Sequence, residues 1–252
     1  DPQSRYDCCE VIASVVRKRH PFGCLFFLEK ALATLHIDPK RLPVDAIAGE
    51  PALAAERMDV AWLRERLAHP PLWAPELPED LRLRFPALRR AAVLIPIVRR
   101  PDGLTVLLTQ RTEHLTNHAG QVSFPGGRTD EGDSSPIETA LRESEEEIGL
   151  MRRHVDIVGV LPDHVTASAY IVTPVVGLVT PPFDLVAESN EVAAIFEVPL
   201  QFLMDGMNHQ RMSLELHDGG VRRSFYAMPY ERFFIWGATA GILRNLFHLL
   251  RA

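Results

Sequence analysis

The segment from Ser135 to Gly149 constrains the fold of this chain more than any other, because it encodes both ends of one helix. Ser135 suits the N-cap, and Glu138 three residues later completes an S-x-x-E capping box. Pro136 suits the first helical position, and Gly149 suits the left-handed residue beyond the last turn. The sequence therefore predicts a helix over residues 136–148.

This helix carries an apolar face and, beside it, an acidic ridge. The apolar face is expected to pack inward and consists of Ile137, Ala140, Leu141, Ile148 and the small polar Ser144. The acidic ridge consists of Glu143, Glu146 and Glu147. Side chains three and four residues apart are neighbours on a helix, so these charges repel by roughly 0.2–0.5 kcal/mol per pair. A hard cation such as Mg²⁺ offsets that repulsion and keeps positions for substrate phosphates; the alternative is a solvated acidic face.

A glycine pair stands shortly before the helix, in the run Phe124-Pro125-Gly126-Gly127. Glycine lets the backbone approach a metal ion or a phosphate without a Cβ in the way. The pair alone also fits a tight turn, and no Gly-Lys-Ser/Thr follows it, so the loop is not a P-loop. Its position ahead of the acidic ridge is what makes it a candidate part of a site.

Strand patterns surround the predicted helix and define the fold class. Apolar runs predict a hairpin over 91–98 and 104–109, strands over 155–161 and 171–179, a mixed segment over 192–203, and a second hairpin over 212–217 and 221–228. Helical patterns cover 58–69 and 235–250, and a further apolar helical pattern includes Val11, Val15 and Leu25–Leu35. This order of elements predicts an α/β or α+β sandwich.

The chain divides into three parts by composition. Residues 1–57 form an N-terminal extension to which we assign no function. Residues 58–88 combine a helix with a Pro-rich connection that we expect to pack on the core. Residues 89–252 hold the strands and the motifs and are the predicted catalytic domain. Because every motif lies beyond Met58, we expect residues 1–57 to be dispensable for catalysis.

Charge and composition argue against several classes of protein. Among 252 residues, 27 are Lys or Arg and 33 are Asp or Glu, and the resulting net charge of −6 argues against a nucleic-acid partner. No apolar run reaches the roughly 18 residues of a spanning helix, so no membrane partner is expected. Cys8, Cys9 and Cys24 are too few to make a disulfide framework, which favours a cytoplasmic protein.

The loop and helix together resemble the Nudix box, the signature of the Nudix hydrolases, usually written G-x5-E-x7-R-E-U-x-E-E-x-G-U with U apolar. The run from Arg142 to Leu150 fills the second half, with Ser144 at the first apolar position. Its charged letters and glycine arise by chance about once per million start positions. The first half departs from the pattern, because five residues after Gly127 comes Asp133 rather than Glu, and eight residues instead of seven separate it from Arg142.

The sequence upstream of the box is similar to the signature of the coenzyme A pyrophosphatases within that family, L-L-T-x-R…H-x-G-Q-V-x-F-P-G-G. The matching residues are Leu107-Leu108-Thr109-Gln110-Arg111, His118, Gly120-Gln121-Val122 and Phe124-Pro125-Gly126-Gly127. Thr112 and Thr116 depart from it, because a small Ser or Ala and an Arg are expected there. The cation missing at Thr116 would have to be replaced by Arg111, Arg99 or Arg100.

Further matches lie downstream, at Thr166–Tyr170, where Ala169 replaces an expected Gly, and at Ile235–Thr239. The resemblance covers the chain from about Met58 onward. It implies a Nudix-type α/β/α sandwich with a mixed sheet, and a hydrolase that uses Mg²⁺ or Mn²⁺ to cleave the diphosphate of coenzyme A into 3′,5′-ADP and 4′-phosphopantetheine. Two alternatives stay open: hydrolysis of another nucleoside diphosphate derivative, such as ADP-ribose or a dinucleotide, and an inactive Nudix-fold binding module.

The resemblance also implies roles for residues of the box. The implied metal ligands are Glu143, Glu146, Glu147 and the carbonyl of Gly126. Arg142 orients a glutamate, although a plain helix ion pair with Glu138 or Glu146 explains it equally well. The base that activates water is one of the box glutamates, Glu188 or Glu191.

Substrate contacts are implied for four residues: Arg111, His118, Phe124 and Gly127. A guanidinium offers paired donors to a phosphate, and an imidazole can donate or stack. His118 fits a structural hydrogen bond equally well, and an aromatic residue such as Phe124 is often part of a core. The sequence leaves the oligomeric state open, including a homodimer.

Overall fold

The computed structural model describes residues 38–76, 87–115, 118–216 and 221–252. The helical pattern and cysteines before residue 38 lie outside the described residues. So do the middle of the Pro-rich connection, over residues 77–86, and the departure at Thr116.

The described chain contains four α-helices and twelve strands. The helices are α1 (Val60–Ala68), α2 (Pro136–Ile148), α3 (Leu200–Leu203) and α4 (Gly237–Arg251). The first six strands are β1 (Val44–Ile47), β2 (Arg89–Arg100), β3 (Gly103–Arg111), β4 (Val122–Ser123), β5 (Gly126–Arg128) and β6 (Val155–Val160). The last six are β7 (His164–Val165), β8 (Tyr170–Val179), β9 (Val192–Pro199), β10 (Gln210–Leu216), β11 (Val221–Tyr230) and β12 (Phe233–Trp236).

Helix α2 has the bounds that the sequence predicts, and its caps explain why. The Ser135 hydroxyl accepts a hydrogen bond from the Glu138 N–H at 3.3 Å. Gly149 adopts a left-handed φ of 69°, and its N–H donates back into the last turn. The Glu138 carboxylate, which the capping box would direct to the start of the helix, instead forms an ion pair with Arg152 at 2.9 Å.

The main sheet has eight strands and is mixed, because β2 and β8 run parallel while its other pairs are antiparallel. Strands β2 and β3 make the predicted hairpin over residues 97–100 and 103–106, and then separate. Beyond that point β2 pairs with β5 and β3 pairs with β4. Since β4 and β5 are consecutive, the link Phe124-Pro125 bridges the two strands where they diverge.

Helices cover both faces of this sheet. Helix α2 packs on one face, where Ala140 and Ile148 join Leu94 and Val175 in a buried cluster. On the other face α1 and α4 contribute to a larger cluster that includes Leu63 and Phe247. The predicted α/β/α sandwich with a mixed sheet is therefore confirmed. No helix in the described part of the chain is long and apolar enough to cross a bilayer.

A second, antiparallel sheet in the order β1-β10-β11-β12 joins the two ends of the described chain. Strand β12 occupies Phe233–Trp236, so helix α4 begins at Gly237 and not at Ile235 as predicted. The reason is that Ile235 pairs with Met228 of β11 and is therefore part of the sheet. Strand β1 belongs to the segment predicted to be an extension, and it pairs with β10.

Residues 38–57 are thus not separate from the rest of the fold. Leu53 is buried in the larger core cluster. Arg244 of α4 is 3% exposed and donates two hydrogen bonds to Glu50 and one to Glu76. The hydrogen bond from Arg244 lowers the pKa of Glu50 to about 2. A truncation that tests whether the extension is dispensable therefore has to start before residue 44.

Candidate active site

The site forms where β2 and β3 diverge, with Gly126 of β5 against helix α2. The Gly126 N–H donates to the Glu147 carboxylate at 3.1 Å. Gly126 has a φ of 150°, and a Cβ there would lie 2.4 Å from the carbonyl oxygen of Ala92. Only glycine fits this position, because both the backbone angle and the close approach exclude a side chain.

Gly127 places Glu143 in the same way. A Cβ on Gly127 would lie 2.4 Å from the carboxyl carbon of Glu143 and 2.5 Å from each of its oxygens. The Glu143 carboxylate therefore occupies the volume that the absent side chain leaves open. The glycine pair is thus more than a tight turn: Gly126 and Gly127 together position Glu147 and Glu143, two residues of the acidic ridge. We call this arrangement the glycine seat.

The two seated carboxylates are withdrawn from water. Glu147 is 6% exposed, and burial raises the pKa of its carboxyl to about 7, while the Gly126 N–H and Arg111 oppose that shift. Burial also raises the pKa of the Glu143 carboxyl. Repulsion from Glu143 and Glu191 adds to the pKa shift of Glu147. The site therefore concentrates negative charge that calls for a cation.

Arg142 is the cation that organises this end of helix α2. One of its terminal nitrogens donates to Glu143 at 3.0 Å and to Glu146 at 3.1 Å. The other terminal nitrogen donates to the Arg128 carbonyl at 3.1 Å and to Asp133 at 2.9 Å. Arg142 therefore contacts two box glutamates, and one of them is its i+4 neighbour. The other proposed partner, Glu138, pairs with Arg152.

Asp133 holds Arg142 in place, a role that the spacing of the box did not predict. Its two oxygens accept from the Arg142 Nε at 3.0 Å and from a terminal nitrogen at 2.9 Å. The Thr139 hydroxyl donates to the same carboxylate at 2.9 Å. The Arg142 guanidinium holds the pKa of Asp133 well below its usual range. The extra residue before the helix lets the loop bring the shorter aspartate to a position from which it reaches Arg142.

Arg111, at the end of β3, lies between two carboxylates. Its terminal nitrogens are 3.6 Å from Glu147 and 3.7 Å from Glu191. These distances are longer than direct hydrogen bonds. Its buried Nε has no hydrogen-bond partner in the described part of the chain. The guanidinium thus keeps donors for a further anionic group.

The structure distinguishes the two loop glutamates. The Glu188 carboxylate accepts from the N–H groups of Asn190 and Glu191 and from the Asn190 amide, so it closes its own turn. The Glu188 N–H donates to the Glu147 carbonyl at 2.8 Å, which ties the loop to helix α2. Thr112, one of the departures from the signature, donates its hydroxyl to the Asn190 carbonyl at 2.9 Å. The loop is therefore anchored and directs Glu191 toward Arg111.

Two predicted substrate contacts, Phe124 and His118, have contacts within the protein. Phe124 is 3% exposed and belongs to the core cluster beneath α4, so the prediction that it lines a substrate pocket is wrong in this structure. His118 has a φ of 59°, and its Nδ1 lies 2.8 Å from the Gln121 side-chain oxygen, an arrangement that shapes the loop.

Arg99 and Arg100 cannot replace a cation at the site. Val93, the partner of Gly126, lies six residues before Arg99 on β2, which is roughly 20 Å at about 3.3 Å per residue. Arg100 is also paired with Glu197. Of the three arginines proposed as substitutes, only Arg111 lies at the site.

A family model described as the NUDIX domain matches residues 88–214, half of the chain. The uncharacterized Nudix hydrolase NudL of Escherichia coli K12 is 49% identical over 160 residues, which cover 63% of this chain and 81% of that protein. The chain belongs to the Nudix family.

Solved structures with the Nudix fold are also similar. An Ap4A hydrolase of C. elegans is 19% identical and covers 44% of this chain and 80% of its own, with a TM-score of 0.39. A MutT protein from Methanosarcina mazei is 24% identical and covers 46% of this chain and 82% of its own, with a TM-score of 0.38. Nudix hydrolases act on small nucleoside diphosphate derivatives with divalent metal ions such as Mg²⁺ or Mn²⁺. The prediction of a Nudix pyrophosphohydrolase is confirmed for the family and the class of enzyme.

The Nudix box carboxylates suit such an ion, although they are not gathered around one point. Within the described ranges, no three His, Cys, Asp or Glu side chains form a ready metal cluster. Glu146 is 60% exposed at its side chain and its carboxylate is held by Arg142, so it does not form a ready cluster with Glu143 and Glu147. Glu143 and Glu147, buried and repelling each other, are the hard oxygen donors that Mg²⁺ prefers.

We predict that Gly127→Ala disables the site without unfolding the protein. The new methyl group would displace the Glu143 carboxylate, and a displacement of about 1 Å costs roughly a hundredfold in turnover. Gly132→Ala is the matched control, because nothing lies within 4 Å of its Cβ position. Steady-state kinetics and thermal melting of both variants test this prediction. Equal turnover in the two variants would contradict the conclusion that Gly127 positions the Glu143 carboxylate.

We predict that Asp133→Asn lowers kcat roughly ten- to hundredfold and raises the Mg²⁺ concentration needed for half-maximal activity, as loss of a positioning partner does. Asp130→Asn is the control, because Asp130 is 73% exposed and lies 3.8 Å from Arg142. A lower melting temperature with unchanged kcat and Mg²⁺ response in Asp133→Asn would show that Asp133 stabilises the fold and does not position Arg142.

Proposed function

We propose that this Nudix hydrolase cleaves the diphosphate bond of coenzyme A and its acyl and oxidised derivatives, giving 3′,5′-ADP and a phosphopantetheine. The observation that carries the proposal is the placement of the upstream signature. Its first part is strand β3, which ends at Arg111, and its last part is the link and strand β5, which seat Glu143 and Glu147. Arg111 and the glycine pair, at the two ends of this signature, therefore lie next to the box glutamates.

The box supplies the negative charge that a divalent ion needs. We assign Glu143, Glu146, Glu147 and the Gly126 carbonyl to Mg²⁺ or Mn²⁺. When bound, such an ion neutralises diphosphate oxygens and acidifies water. Arg142, fixed by Asp133, holds Glu143 and Glu146 in position. Pre-positioned charge of this kind is the main source of catalysis in phosphoryl transfer.

Arg111 is the proposed contact to the substrate diphosphate. Its distances to Glu147 and Glu191 leave both ion pairs loose, and its Nε is buried without a hydrogen-bond partner among the described residues. Two oxygens of a diphosphate can accept paired hydrogen bonds from such a guanidinium. Gly127 stays a proposed substrate contact through its backbone, because the Glu143 carboxylate fills the space of its absent side chain. His118 also stays a proposed substrate contact, because it belongs to the loop that leads into β4.

Glu191 is the proposed base for the attacking water. Its side chain is half exposed, and Arg111 is its nearest charged partner, whereas the carboxylate of Glu188 is used within its own turn. A general base must lie within hydrogen-bond reach of the water whose proton it takes. The position of Glu191 near Glu147 supports this role.

We predict that coenzyme A has a higher kcat/KM than ADP-ribose, NADH or a dinucleoside polyphosphate. The panel is assayed with Mg²⁺ and with Mn²⁺, reading released nucleotide at equal substrate concentrations. Glu147→Gln is the control for contaminating hydrolases, because it removes a ligand charge with little change in volume and should lower kcat by roughly two orders of magnitude or more. A higher kcat/KM for ADP-ribose would overturn the proposed substrate and leave the Nudix hydrolase.

We predict that Glu191→Gln lowers kcat roughly a hundredfold or more with little change in KM, as loss of a general base does. Glu188→Gln keeps an acceptor for the turn and should stay within about threefold of the wild type. If both variants retain turnover, the base is a box glutamate. If Glu188→Gln is the more damaged of the two at an unchanged melting temperature, our assignment of the loop is wrong.

A further inference from the structure

The first turn of helix α4 contacts the strand that leads into the glycine seat. The Thr239 hydroxyl donates a hydrogen bond to the Val122 carbonyl of β4 at 2.9 Å, and the Thr239 side chain is buried. Thr239 ends the downstream match at Ile235–Thr239, which the function proposed above does not use. The hydrogen bond thus connects helix α4 to the segment that precedes the two glycines.

The Val122 carbonyl points away from the neighbouring strand of its sheet. Strand β4 lies at the edge of the main sheet, where it pairs with β3. The Arg111 N–H of β3 donates to the Gln121 carbonyl at 2.9 Å, so the Gln121 carbonyl faces β3. Carbonyls of successive strand residues point in opposite directions, and the Val122 carbonyl therefore faces outward. The Thr239 hydroxyl supplies the partner that a further strand would otherwise provide.

The chain between Val122 and the glycine seat is held at several points. Val122 is held by helix α4. Three residues later, the Pro125 carbonyl accepts from the Leu94 N–H of β2 at 2.9 Å. The Gly126 N–H then donates to Glu147 at 3.1 Å. Four residues of extended chain span at most about 14 Å, so the link has little slack to absorb a shift at Val122.

Helix α4 is a well-anchored support for this contact. Its Arg244 is buried and donates to Glu50 and Glu76, which belong to two other segments of the chain. Leu243 and Phe247 of the same helix are fully buried in the larger core cluster. The helix that carries the Thr239 hydroxyl therefore cannot move without breaking these contacts.

We propose that Thr239 is a positioning residue for hydrolysis, acting through the Val122 carbonyl to fix the path of the chain into the glycine seat. Glu143 and Glu147 are positioned by that seat, and both are assigned above to the divalent ion. Loss of the Thr239 hydroxyl therefore loosens the metal site without removing a ligand. The inference concerns the Nudix hydrolase reaction itself and holds for whichever nucleoside diphosphate derivative is the substrate.

Thr239→Val tests the proposal, because it removes the hydroxyl and keeps the branched shape of the side chain. It should lower kcat roughly tenfold with little change in KM, as loss of a partner that acts through other groups does. Calorimetric titration of the substrate-free protein with Mn²⁺ should show an affinity that is lower by roughly the same factor. Thr239→Ser keeps the donor and should stay within about threefold of the wild type in both measurements.

Thr105→Val is the matched control, because it removes a threonine hydroxyl far from the site. The Thr105 hydroxyl donates to the Glu197 carboxylate at 2.6 Å. Thr105 pairs with Val98, which lies five residues beyond Val93, the partner of Gly126. That separation is about 16 Å along the strand. Thr105→Val should lower the melting temperature and leave both kcat and the affinity for Mn²⁺ unchanged.

The results separate positioning from stability. A lower melting temperature in Thr239→Val with unchanged kcat and Mn²⁺ affinity would overturn the proposal, because Thr239 would then stabilise the fold alone. Equal losses in Thr239→Ser and Thr239→Val would also overturn it, since the hydroxyl would then not be the cause. If Thr239→Val does not fold, Thr239→Ala removes the same donor and favours the helix, with the same expected results. Failure of both variants to fold would assign Thr239 to the fold and overturn the proposal.

The test does not depend on the proposed substrate. The kinetics use coenzyme A, or ADP-ribose if the wild-type protein prefers it. A preference for ADP-ribose would overturn coenzyme A as the substrate and leave the comparison of the Thr239 variants intact. The Mn²⁺ titration contains no substrate, so its result bears on Thr239 in either case.

Discussion

The close contact between strand β5 and helix α2 is the constraint on which the site depends. Two consecutive glycines bring a backbone within hydrogen-bond distance of Glu147 and leave the volume that Glu143 fills. Any side chain at either position would push the helix from the strand or the carboxylates from their seats. The divergence of β2 and β3 makes room for this contact, because β5 takes the place that β3 leaves beside β2.

Burying acidic side chains at this contact has an electrostatic cost that the surrounding arginines offset only in part. Arg142 satisfies Glu143 and Glu146 and is held in turn by Asp133. Arg111 lies near Glu147 without a direct hydrogen bond to it, and burial keeps the pKa of Glu147 raised to about 7. A carboxylate in this condition gains from any added cation. The arrangement therefore favours binding of a divalent ion over a self-sufficient salt-bridge network.

The second sheet and helix α4 support the site from a distance. Strand β1 and Leu53 join the C-terminal elements, and Arg244 connects them through Glu50 and Glu76. Helix α4 also donates the Thr239 hydroxyl to the Val122 carbonyl at 2.9 Å, next to the link that bridges the split sheet. The core and the catalytic loop are thus coupled through one helix. The family model ends at residue 214, so it does not include this helix.

Local patterns were enough to predict the bounds of helix α2, the first hairpin, the class of fold and the Nudix family, because caps, periodicity and the box are all written in neighbouring residues. They also indicated that Glu143, Glu147 and Arg111 belong to one site. The role of Asp133 became visible only in the folded chain, since the position of its carboxylate relative to Arg142 depends on the path of the loop. Burial likewise decided that Phe124 is a core residue. The contact of β1 and Leu53 with the C-terminal elements was beyond local patterns, because strand pairing between residues more than 160 positions apart depends on the packing of the whole chain.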